Sequence, residues 1–492
     1  QRGAARSQGR TQRSAAAPSQ RRRSGDPARG VAFDVLREVH GSDAYANLVL
    51  PPLLRERGIR GRDAGFATEL TYGTLRLRGR YDAILAVAAD RPVDRIDPPV
   101  LDLLRLGAHQ LLGMRVPPHA AVSETVGLGR ERVGTGASQF VNAVLRTVGR
   151  DDLDTWLARV ADAADPRGTD PDARLAVVES HPAWVVRALR EALVGHGRSA
   201  DELRDLLVAD DEAPRVTLVA RPGLVDRAAL LDEAGEGARA GGLTPTAVVL
   251  EGGGDPAALA AVREARAGVQ DEGSQAVALA LAAAPLEGRD ERWLDLCAGP
   301  GGKAALLAAL AAGRGARLVA NEVQPHRARL VEQSVRAARS AVEAVRVGDG
   351  RTVGEDEPGA YDRVMVDAPC TGLGALRRRP ESRWRRTPAD VAPLSALQRE
   401  LLGSALRAVR PGGVVAYVTC SPHLAETRLV VTDAVRAAAR AGLRVETLDA
   451  AAVVREVAGG DVALPEGRTD VQLWPHVHGT DAMHLTLLRR EA

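Results

Sequence analysis

The first third of the chain carries apolar residues at intervals of three and four, the spacing of one buried face of an α-helix. Val31, Val35 and Val39 lie four apart, and the segment 63–89 repeats the pattern. Polar stretches that contain proline separate these segments, as turns between helices do. The pattern predicts an all-α bundle over residues 28–150.

Polar residues dominate the two stretches that flank this bundle. Residues 1–27 are rich in Arg, Ser and Gln without apolar periodicity, which is typical of a disordered basic tail. Residues 151–170 contain much Asp, Ala, Pro and Gly, and we interpret them as a linker. The segment 171–270 combines a helical pattern, HPAWVVRALREAL, with the short apolar runs PRVTLVA and TAVVLE. It predicts a small α+β middle domain.

Short apolar runs alternate with alanine-rich helical stretches over residues 271–492. Five runs have the length of buried strands: 292–297, 317–322, 344–349, 361–370 and 412–420. This alternation predicts a doubly wound, mainly parallel α/β sheet of Rossmann-like type. Ligands of such sheets bind beyond the carboxyl ends of the strands, so the residues that follow each run are the candidates for function.

The residues that follow these runs are rich in groups that bind ligands or react. They are the turn Cys297, Ala298, Gly299, Pro300, Gly301, Gly302 and Lys303, then Glu322, Asp349, Asp367, Cys370 and Cys420. Lys303 is the only lysine in a chain with 66 Lys and Arg residues. A crowded glycine turn favours its compact ammonium over the arginine fork, although chance survival is the alternative.

Three ligand classes use glycine-rich turns at this place in a sheet. A P-loop needs Ser or Thr after its lysine, and Ala304 stands there. A dinucleotide site prefers G-x-G-x-x-G, which is not present, although Glu322 lies at the right distance for a ribose. Three acids, Glu322, Asp349 and Asp367, suit S-adenosylmethionine, which has a ribose and a cationic sulfonium but no phosphate. Each acid can instead be a helix cap.

Two of the three cysteines, Cys370 and Cys420, directly follow apolar runs, in the sequences DAPCTG and TCSP. A redox pair is one interpretation, but the C-x-x-C spacing is lacking. Covalent catalysis is the other, because a thiolate that adds to C6 of a pyrimidine turns C5 into a nucleophile for a methyl group. Asp367 is placed to hydrogen-bond the base. Cys297 fits the role of buried filler.

An arginine-dense segment, LRRRPESRWRRT, follows Cys370 within a few residues. Arginines clamp phosphates and an aromatic ring stacks on an unstacked base, so the segment predicts an RNA contact. The predicted RNA-binding residues are Arg377, Arg378, Arg379, Arg383, Trp384, Arg385 and Arg386. A solvated charged loop is the alternative interpretation.

Three long motifs, DLCAGPGGK, YDRVMVDAPCTGLGALRRRPESRWRR and PGGVVAYVTCS, stand in this order in the chain. Together they resemble the RNA cytosine-C5 methyltransferases of the Nop2/Sun (Fmu) family. Upstream, GRDAGFATELTYGTLRLRGRYD resembles the NusB-like helical domain fused to the bacterial 16S ribosomal RNA member of that family. The resemblance covers about residues 28–490 and implies a class I methyltransferase domain over 271–492.

The resemblance also implies roles for single residues. The glycine turn, with Glu322, Asp349 and Asp367, contacts the cofactor or the base. The family's TC motif supplies the nucleophile, hence Cys420, and its PC cysteine, Cys370, helps to release the product. Lys303 matches a family position near the cofactor and Asp367, which favours a functional lysine. The implied catalytic residues are therefore Cys420, Cys370, Asp367 and Lys303.

Three positions depart from the family pattern. Glu322 stands where many relatives have Asp, and Thr371 replaces the usual Ser after the PC cysteine. The final segment DAMHLTLL differs more, because the family usually has Asp-Gly-Phe-Phe there. His484 therefore stands in place of an aromatic hydrocarbon ring.

Composition bounds the remaining expectations. A chain of 492 residues predicts two to four domains. Since no apolar run reaches about 18 residues and the N-terminal region lacks an apolar core, we expect a cytoplasmic protein without a membrane span. Three scattered cysteines argue against a disulfide framework and a zinc cluster, so no metal is expected. We also expect a monomer.

The sequence thus predicts an enzyme that transfers a methyl group from S-adenosylmethionine to C5 of a cytosine in 16S ribosomal RNA. A methyltransferase for transfer RNA or 23S RNA is the first alternative. A non-catalytic RNA-binding assembly factor is the second, and it would have lost one of the four catalytic residues, all of which are present. A dehydrogenase is disfavoured by the glycine spacing.

Overall fold

A computed structural model describes residues 26–251 and 255–492, so the predicted basic tail, 1–27, lies outside it except for its last two residues. The N-terminal part is helical, as predicted. Its helices are α1 (Pro27–Gly41), α2 (Ala46–Glu56), α3 (Gly61–Arg76), α4 (Arg78–Ala88), α5 (Pro98–Leu112), α6 (Pro118–Arg132), α7 (Thr135–Val148) and α8 (Leu153–Ala164). Asp26 caps α1, and its side chain accepts a hydrogen bond from the backbone of Ala28 at 2.9 Å.

The linker predicted for residues 151–170 is wrong, because α8 occupies most of this segment. Asp152 caps the helix, accepting from the backbone of Thr155 at 2.9 Å. Trp156 is 1% exposed and belongs to the core of the N-terminal bundle, where its indole donates to the carbonyl of Val148 at 2.9 Å. The polar residues of this segment lie on the solvent-exposed face of α8, and the buried side chain of Trp156 holds the helix against the bundle.

The segment 171–270 contains two parts with different cores. Its helices are α9 (Pro171–Val178), α10 (Ala183–Gly195) and α11 (Leu203–Asp211), which pack against Leu373, Leu376 and Trp474. An antiparallel sheet follows, in the order β2-β3-β1-β4, with its own small core. Its elements are β1 (Val216–Ala220), α12 (Arg227–Ala234), β2 (Ala238–Ala240), β3 (Ala247–Leu250), α13 (Ala260–Arg263) and β4 (Ala267–Val269).

The C-terminal domain is a doubly wound sheet with helices on both faces, as predicted. Its strands are β5 (Arg292–Asp295), β6 (Arg317–Glu322), β7 (Val342–Val347), β8 (Tyr361–Asp367), β9 (Val409–Thr419), β10 (Val445–Leu448), β11 (Val471–Gln472) and β12 (His484–Arg490). Its helices are α14 (Glu272–Ala283), α15 (Gly302–Ala312), α16 (Pro325–Val335), α17 (Val353–Asp356), α18 (Ser382–Arg385), α19 (Val391–Ala408), α20 (Arg428–Arg440), α21 (Ala450–Ala458) and α22 (Pro475–His478).

The strand order β7-β6-β5-β8-β9-β12-β10 places a topological switch between β5 and β8. Strands β5 to β9 run parallel, whereas β12 lies antiparallel between β9 and β10. A crevice opens at such a switch beyond the carboxyl ends of the strands. The glycine turn, the DAPC segment and the TCS segment follow β5, β8 and β9, so all three border this crevice.

In the part of the chain that the structure describes, no helix has both the length and the apolar composition needed to cross a bilayer.

Candidate active site

The glycine turn is held by the end of strand β6. The buried carboxylate of Glu322 accepts a hydrogen bond from the backbone of Gly299 at 2.9 Å and one from Gln324 at 2.9 Å. The side-chain amide of Asn321 donates to the carbonyls of Leu296 and Gly348, both at 3.1 Å. These bonds fix the turn after β5 against its neighbour on one side of the crevice.

Gly301 is required by both conformation and space. Its φ is +94°, a left-handed value that disfavours side chains. A Cβ atom added there would lie 2.8 Å from the Cα of Val331 on α16. Gly302 then starts α15, and an added Cβ would meet nothing within 4 Å, so the helix begins in open space beside the crevice.

Lys303 and Asp367 form an ion pair across the crevice, with Nζ and Oδ2 2.9 Å apart. Burial alone would lower the pKa of Lys303, but the carboxylate of Asp367 holds that pKa above its usual value. The lysine therefore stays charged and fixes one oxygen of Asp367. The side chain of Asp367 remains 31% exposed, which leaves it open to a ligand.

Asp295 is a site residue that the sequence analysis missed. It ends β5, is fully buried, and neither carboxylate oxygen has a hydrogen-bond partner within 26–251 and 255–492. Burial, followed by the negative charge of Asp367, raises its pKa to about 7. The sequence did contain a signal for this residue, because Asp295 is an acidic side chain inside the apolar run 292–297.

The sulfur atoms of Cys370 and Cys420 lie 3.4 Å apart. A hydrogen bond from Cys370 lowers the pKa of Cys420, and the charges of Lys303 and Arg379 act in the same direction. The same contact and burial raise the pKa of Cys370 well above its ordinary value. The directions of the two shifts make Cys370 the donor of this contact and Cys420 its acceptor.

A buried glutamate that sequence reasoning missed joins the two cysteine loops. Glu426 accepts from the backbone of Thr371 at 2.8 Å and from the hydroxyls of Thr371, at 2.5 Å, and Ser421, at 2.6 Å. Gln398 donates to it from α19 at 3.1 Å. Since Thr371 follows Cys370 and Ser421 follows Cys420, this carboxylate sets the separation of the thiols. No local pattern around position 426 signals this role.

Two other predicted cofactor residues lie at the margins of the site. Asp349 follows β7 and is paired with Arg351, at 2.6 Å, in a partly exposed position. Cys297 is half-buried against the core below the turn, and burial raises its pKa well above the usual range. Its thiol therefore stays protonated, which fits a packing role.

The structure corrects the RNA prediction for several arginines of the segment 376–387. Arg377 and Arg378 both pair with Asp271 and Asp481, at 2.6 to 3.1 Å. These bonds fasten the loop to the start of α14 and the segment before β12. Because both guanidinium groups are already paired with carboxylates, Arg377 and Arg378 stabilise the conformation of the loop rather than offer free groups to a phosphate.

Arg383 is wholly buried between three parts of the chain. Its guanidinium donates to Asp211 at 2.7 Å and to the carbonyls of Arg76 and Ser180 at 3.2 and 3.0 Å. Arg385 donates to the carbonyls of Val39 and Ala44 in the N-terminal bundle. A side chain with 0% exposure has no surface for phosphate, so the prediction of an RNA contact is wrong for Arg383.

Arg379 and Arg386 stay open to solvent, whereas Trp384 is partly covered by the N-terminal bundle. Arg379 is exposed above the ring of Tyr45, 5.3 Å from its centroid. Arg386 is half-exposed and has no ion-pair partner within the described ranges. Trp384 is half-buried against Gly79 and lies under the guanidinium of Arg78, 5.5 Å from the ring centroid. RNA contact by Arg379 and Arg386 remains a prediction.

Comparison with known proteins places this geometry in a family. Residues 280–489 match the family described as 16S rRNA methyltransferase RsmB/F, and residues 26–150 match the NusB family. Ribosomal RNA small subunit methyltransferase B of Escherichia coli is 31% identical over 401 residues, which are 80% of this chain and 86% of that protein. The chain belongs to the RsmB/F methyltransferase family. The combination of a NusB bundle and a methyltransferase domain confirms the expected fold.

Other relatives of this RsmB/F methyltransferase extend over nearly the whole chain. The Mycobacterium tuberculosis methyltransferase Rv1407 is 54% identical over 475 residues, 96% of this chain and 98% of that protein. A crystal structure described as PH0851 has a TM-score of 0.74 at 20% identity and covers 94% of this chain and 99% of its own. NSun6 from Pyrococcus horikoshii, with SFG, has a TM-score of 0.51 at 16% identity and covers 64% of this chain and 100% of its own. The two structures show a shared fold.

Arg383→Leu should destabilise the RsmB/F methyltransferase strongly, because it leaves Asp211 and three carbonyls buried without their donor. The expected loss is about 3–5 kcal/mol of unfolding free energy, with a lower unfolding temperature in calorimetry. Arg386→Leu is the matched control in the same loop and should leave the unfolding temperature unchanged while weakening RNA binding. Equal unfolding temperatures for the two variants would contradict the structural role of Arg383.

Alkylation of Cys420 by iodoacetamide, followed by mass spectrometry of its peptide, should show a midpoint below the usual thiol pKa of about 8.5. Its thiolate is stabilised by the Cys370 hydrogen bond, so the thiolate forms at lower pH than in a free cysteine. Cys370→Ala should move the midpoint to higher pH. Cys297→Ala should leave it in place, and an unmoved midpoint in Cys370→Ala would count against the sulfur contact.

Proposed function

We propose that this RNA methyltransferase transfers a methyl group from S-adenosylmethionine to C5 of a cytosine in 16S ribosomal RNA, through a covalent bond between Cys420 and C6 of the base. The observation that supports this most directly is the sulfur pair at 3.4 Å beside the Lys303–Asp367 ion pair. A lowered pKa at Cys420 and a raised pKa at Cys370 suit two different tasks at one base.

The crevice suits a cationic cofactor without phosphate. Four carboxyl groups surround the glycine turn: those of Asp295, Glu322, Asp349 and Asp367. Lys303 pairs with Asp367, and Arg351 pairs with Asp349. A phosphate would be repelled by this set, whereas a sulfonium and a ribose diol are favoured by it. When bound, S-adenosylmethionine supplies an electrophilic methyl group. Glu322 and the turn residues would hold its nucleoside part.

The residues of the chain divide the reaction between them. The thiolate of Cys420 adds to C6 and forms an S–C bond, and the electron pair moves toward C5. Asp367, fixed by Lys303, presents its second oxygen to the base edge and orients the ring. After C5 has gained the methyl group, its proton passes to solvent water and the C–H electron pair restores the C5–C6 double bond. The S–C bond breaks at the same time, and its electron pair leaves on sulfur. The S–H of Cys370 stabilises the departing Cys420 thiolate, which assists release.

Ribosomal RNA as the substrate is supported by the family and by the exposed arginines. The E. coli relative is named for the small ribosomal subunit RNA, and this chain spans most of it. Arg379 lies close enough to Cys420 for its charge to lower the thiol pKa, so an RNA phosphate bound there would lie beside the nucleophile.

Incubation with methyl-labelled S-adenosylmethionine and unmodified 16S, 23S or transfer RNA should yield 5-methylcytidine in 16S RNA alone. Cys420→Ala should abolish the product because the attacking thiolate is removed, whereas Cys297→Ala should retain it. Nucleoside analysis by mass spectrometry identifies the product. Label in 23S or transfer RNA would show that the substrate is not 16S RNA. Turnover by Cys420→Ala would overturn the covalent route.

Cys370→Ala should accumulate a protein–RNA adduct that survives denaturing electrophoresis, because the donor that stabilises the departing thiolate is lost. Adding Cys420→Ala to the same variant should remove the adduct. Normal turnover by Cys370→Ala without a trapped species would contradict the release role.

A further inference from the structure

Two buried histidines and an aspartate meet behind the catalytic loop. His196 follows α10, His484 begins β12, and Asp470 precedes β11. One potential ligand atom from each lies within 4.8 Å of the other two, and Nδ1 of His196 is 3.8 Å from Oδ2 of Asp470. Both imidazoles are essentially inaccessible, at 1% and 0% exposure.

A hydrogen bond defines the tautomer of His196. Its Nε2 lies 3.0 Å from the carbonyl of Pro422, which can only accept, so Nε2 carries the proton and Nδ1 has a free lone pair. Nε2 of His484 lies 3.1 Å from the hydroxyl of Thr486, which can donate or accept. The Nδ1 atoms of both rings have no hydrogen-bond partner anywhere in residues 26–251 and 255–492. Nδ1 of His196 faces Asp470, and Nδ1 of His484 is a second buried nitrogen without a partner.

This is the arrangement that metal-binding histidines adopt. Ligating imidazoles usually donate their other ring N–H to a carbonyl or another polar group, which fixes the ring and the tautomer. The free Nδ1 lone pair of His196 and the carboxylate of Asp470 repel one another unless a cation lies between them.

The neighbouring charges are compatible with a cation. Arg468 donates to Oδ2 of Asp470 and leaves Oδ1 for a ligand bond. Arg468 and Arg428 also donate to the carbonyl of Gly195, so both guanidinium groups are directed to existing acceptors. The Asp470 carboxylate supplies one negative charge toward a divalent ion and shares it with Arg468.

We propose that His196, Asp470 and His484 bind a Zn²⁺ ion. Nitrogen and carboxylate ligands suit zinc, whose tetrahedral sites place ligand atoms roughly 3.4 Å apart. The three ligand atoms here lie within 4.8 Å of one another, so the side chains would close in around the ion. Three protein ligands leave the fourth position to a solvent molecule. The site is separate from the cofactor crevice and does not rest on the proposed function.

The position of this site gives it a structural task. His196 contacts Pro422, two residues after Cys420, and His484 pairs with Thr419 across β12 and β9. A metal bound there joins α10, β12 and the segment before β11 directly behind the nucleophile loop. The three residues are far apart in the sequence, so cysteine number and spacing do not signal this cluster.

The test uses the full chain, stripped with a chelator and titrated with Zn²⁺ alone in a calorimeter. The expected result is one Zn²⁺ per chain and a higher unfolding temperature with the metal. Cobalt substitution should give visible absorption bands of a tetrahedral nitrogen and oxygen site.

Two variants address different ligands. His484→Phe restores the aromatic residue that the family resemblance leads us to expect, and Asp470→Asn keeps the shape of a partly exposed side chain. Each should weaken Zn²⁺ binding at least about tenfold and remove the cobalt bands. His119→Ala, an exposed histidine of the N-terminal bundle, is the control and should bind as the parent does.

Failure of the parent chain to bind Zn²⁺ in a one-to-one ratio overturns the site. Unchanged affinity in either folded variant overturns it as well. Circular dichroism establishes which variants are folded, and if His484→Phe is not, the result for Asp470→Asn decides.

Discussion

The active site depends on one buried carboxylate that holds two loops together. Glu426 receives hydrogen bonds from the residue after each catalytic cysteine, so the separation of the sulfurs is set by a group that touches neither of them. Strands β8 and β9 bring the loops to the same edge of the sheet, but parallel pairing alone does not fix side chains beyond the strand ends. A carboxylate with four donors in a closed environment holds the two sulfurs at a defined separation.

One lysine contributes positive charge to several acidic groups of the crevice: Lys303 pairs with Asp367, and its charge also acts on Asp295. The ion pair with Asp367 keeps Lys303 protonated despite its burial, and the charge of the lysine helps to lower the pKa of Cys420. Asp295, at the floor, has a raised pKa because it is buried and lies near the negative charge of Asp367. The compact ammonium of Lys303 reaches one oxygen of Asp367 from a mostly buried position, which gives a physical reason for the single lysine among so many arginines.

Sequence patterns predicted the strands and the strand-end residues because both follow from local rules. Apolar runs located β6 to the residue, and parallel topology then brought Lys303, Asp367, Cys370 and Cys420 together. Long-range pairing was not accessible in the same way. Arg383 was predicted to contact RNA because nothing in its local sequence shows that Asp211 and two distant carbonyls surround it. The polar segment around Trp156 was interpreted as a linker because the core that buries this tryptophan is formed by the preceding helices of the N-terminal bundle. Glu426 was missed for the same reason.

The N-terminal bundle is not tethered to the methyltransferase domain by a flexible connection. Helix α8 belongs to the bundle, α9 to α11 share a core with the C-terminal domain, and Arg383 and Arg385 from the catalytic side donate to carbonyls of the bundle. The bundle therefore stands at a constant distance and angle from the nucleophile. A macromolecule that contacts both the bundle and the crevice is therefore positioned by the architecture of the folded chain as well as by its own local contacts.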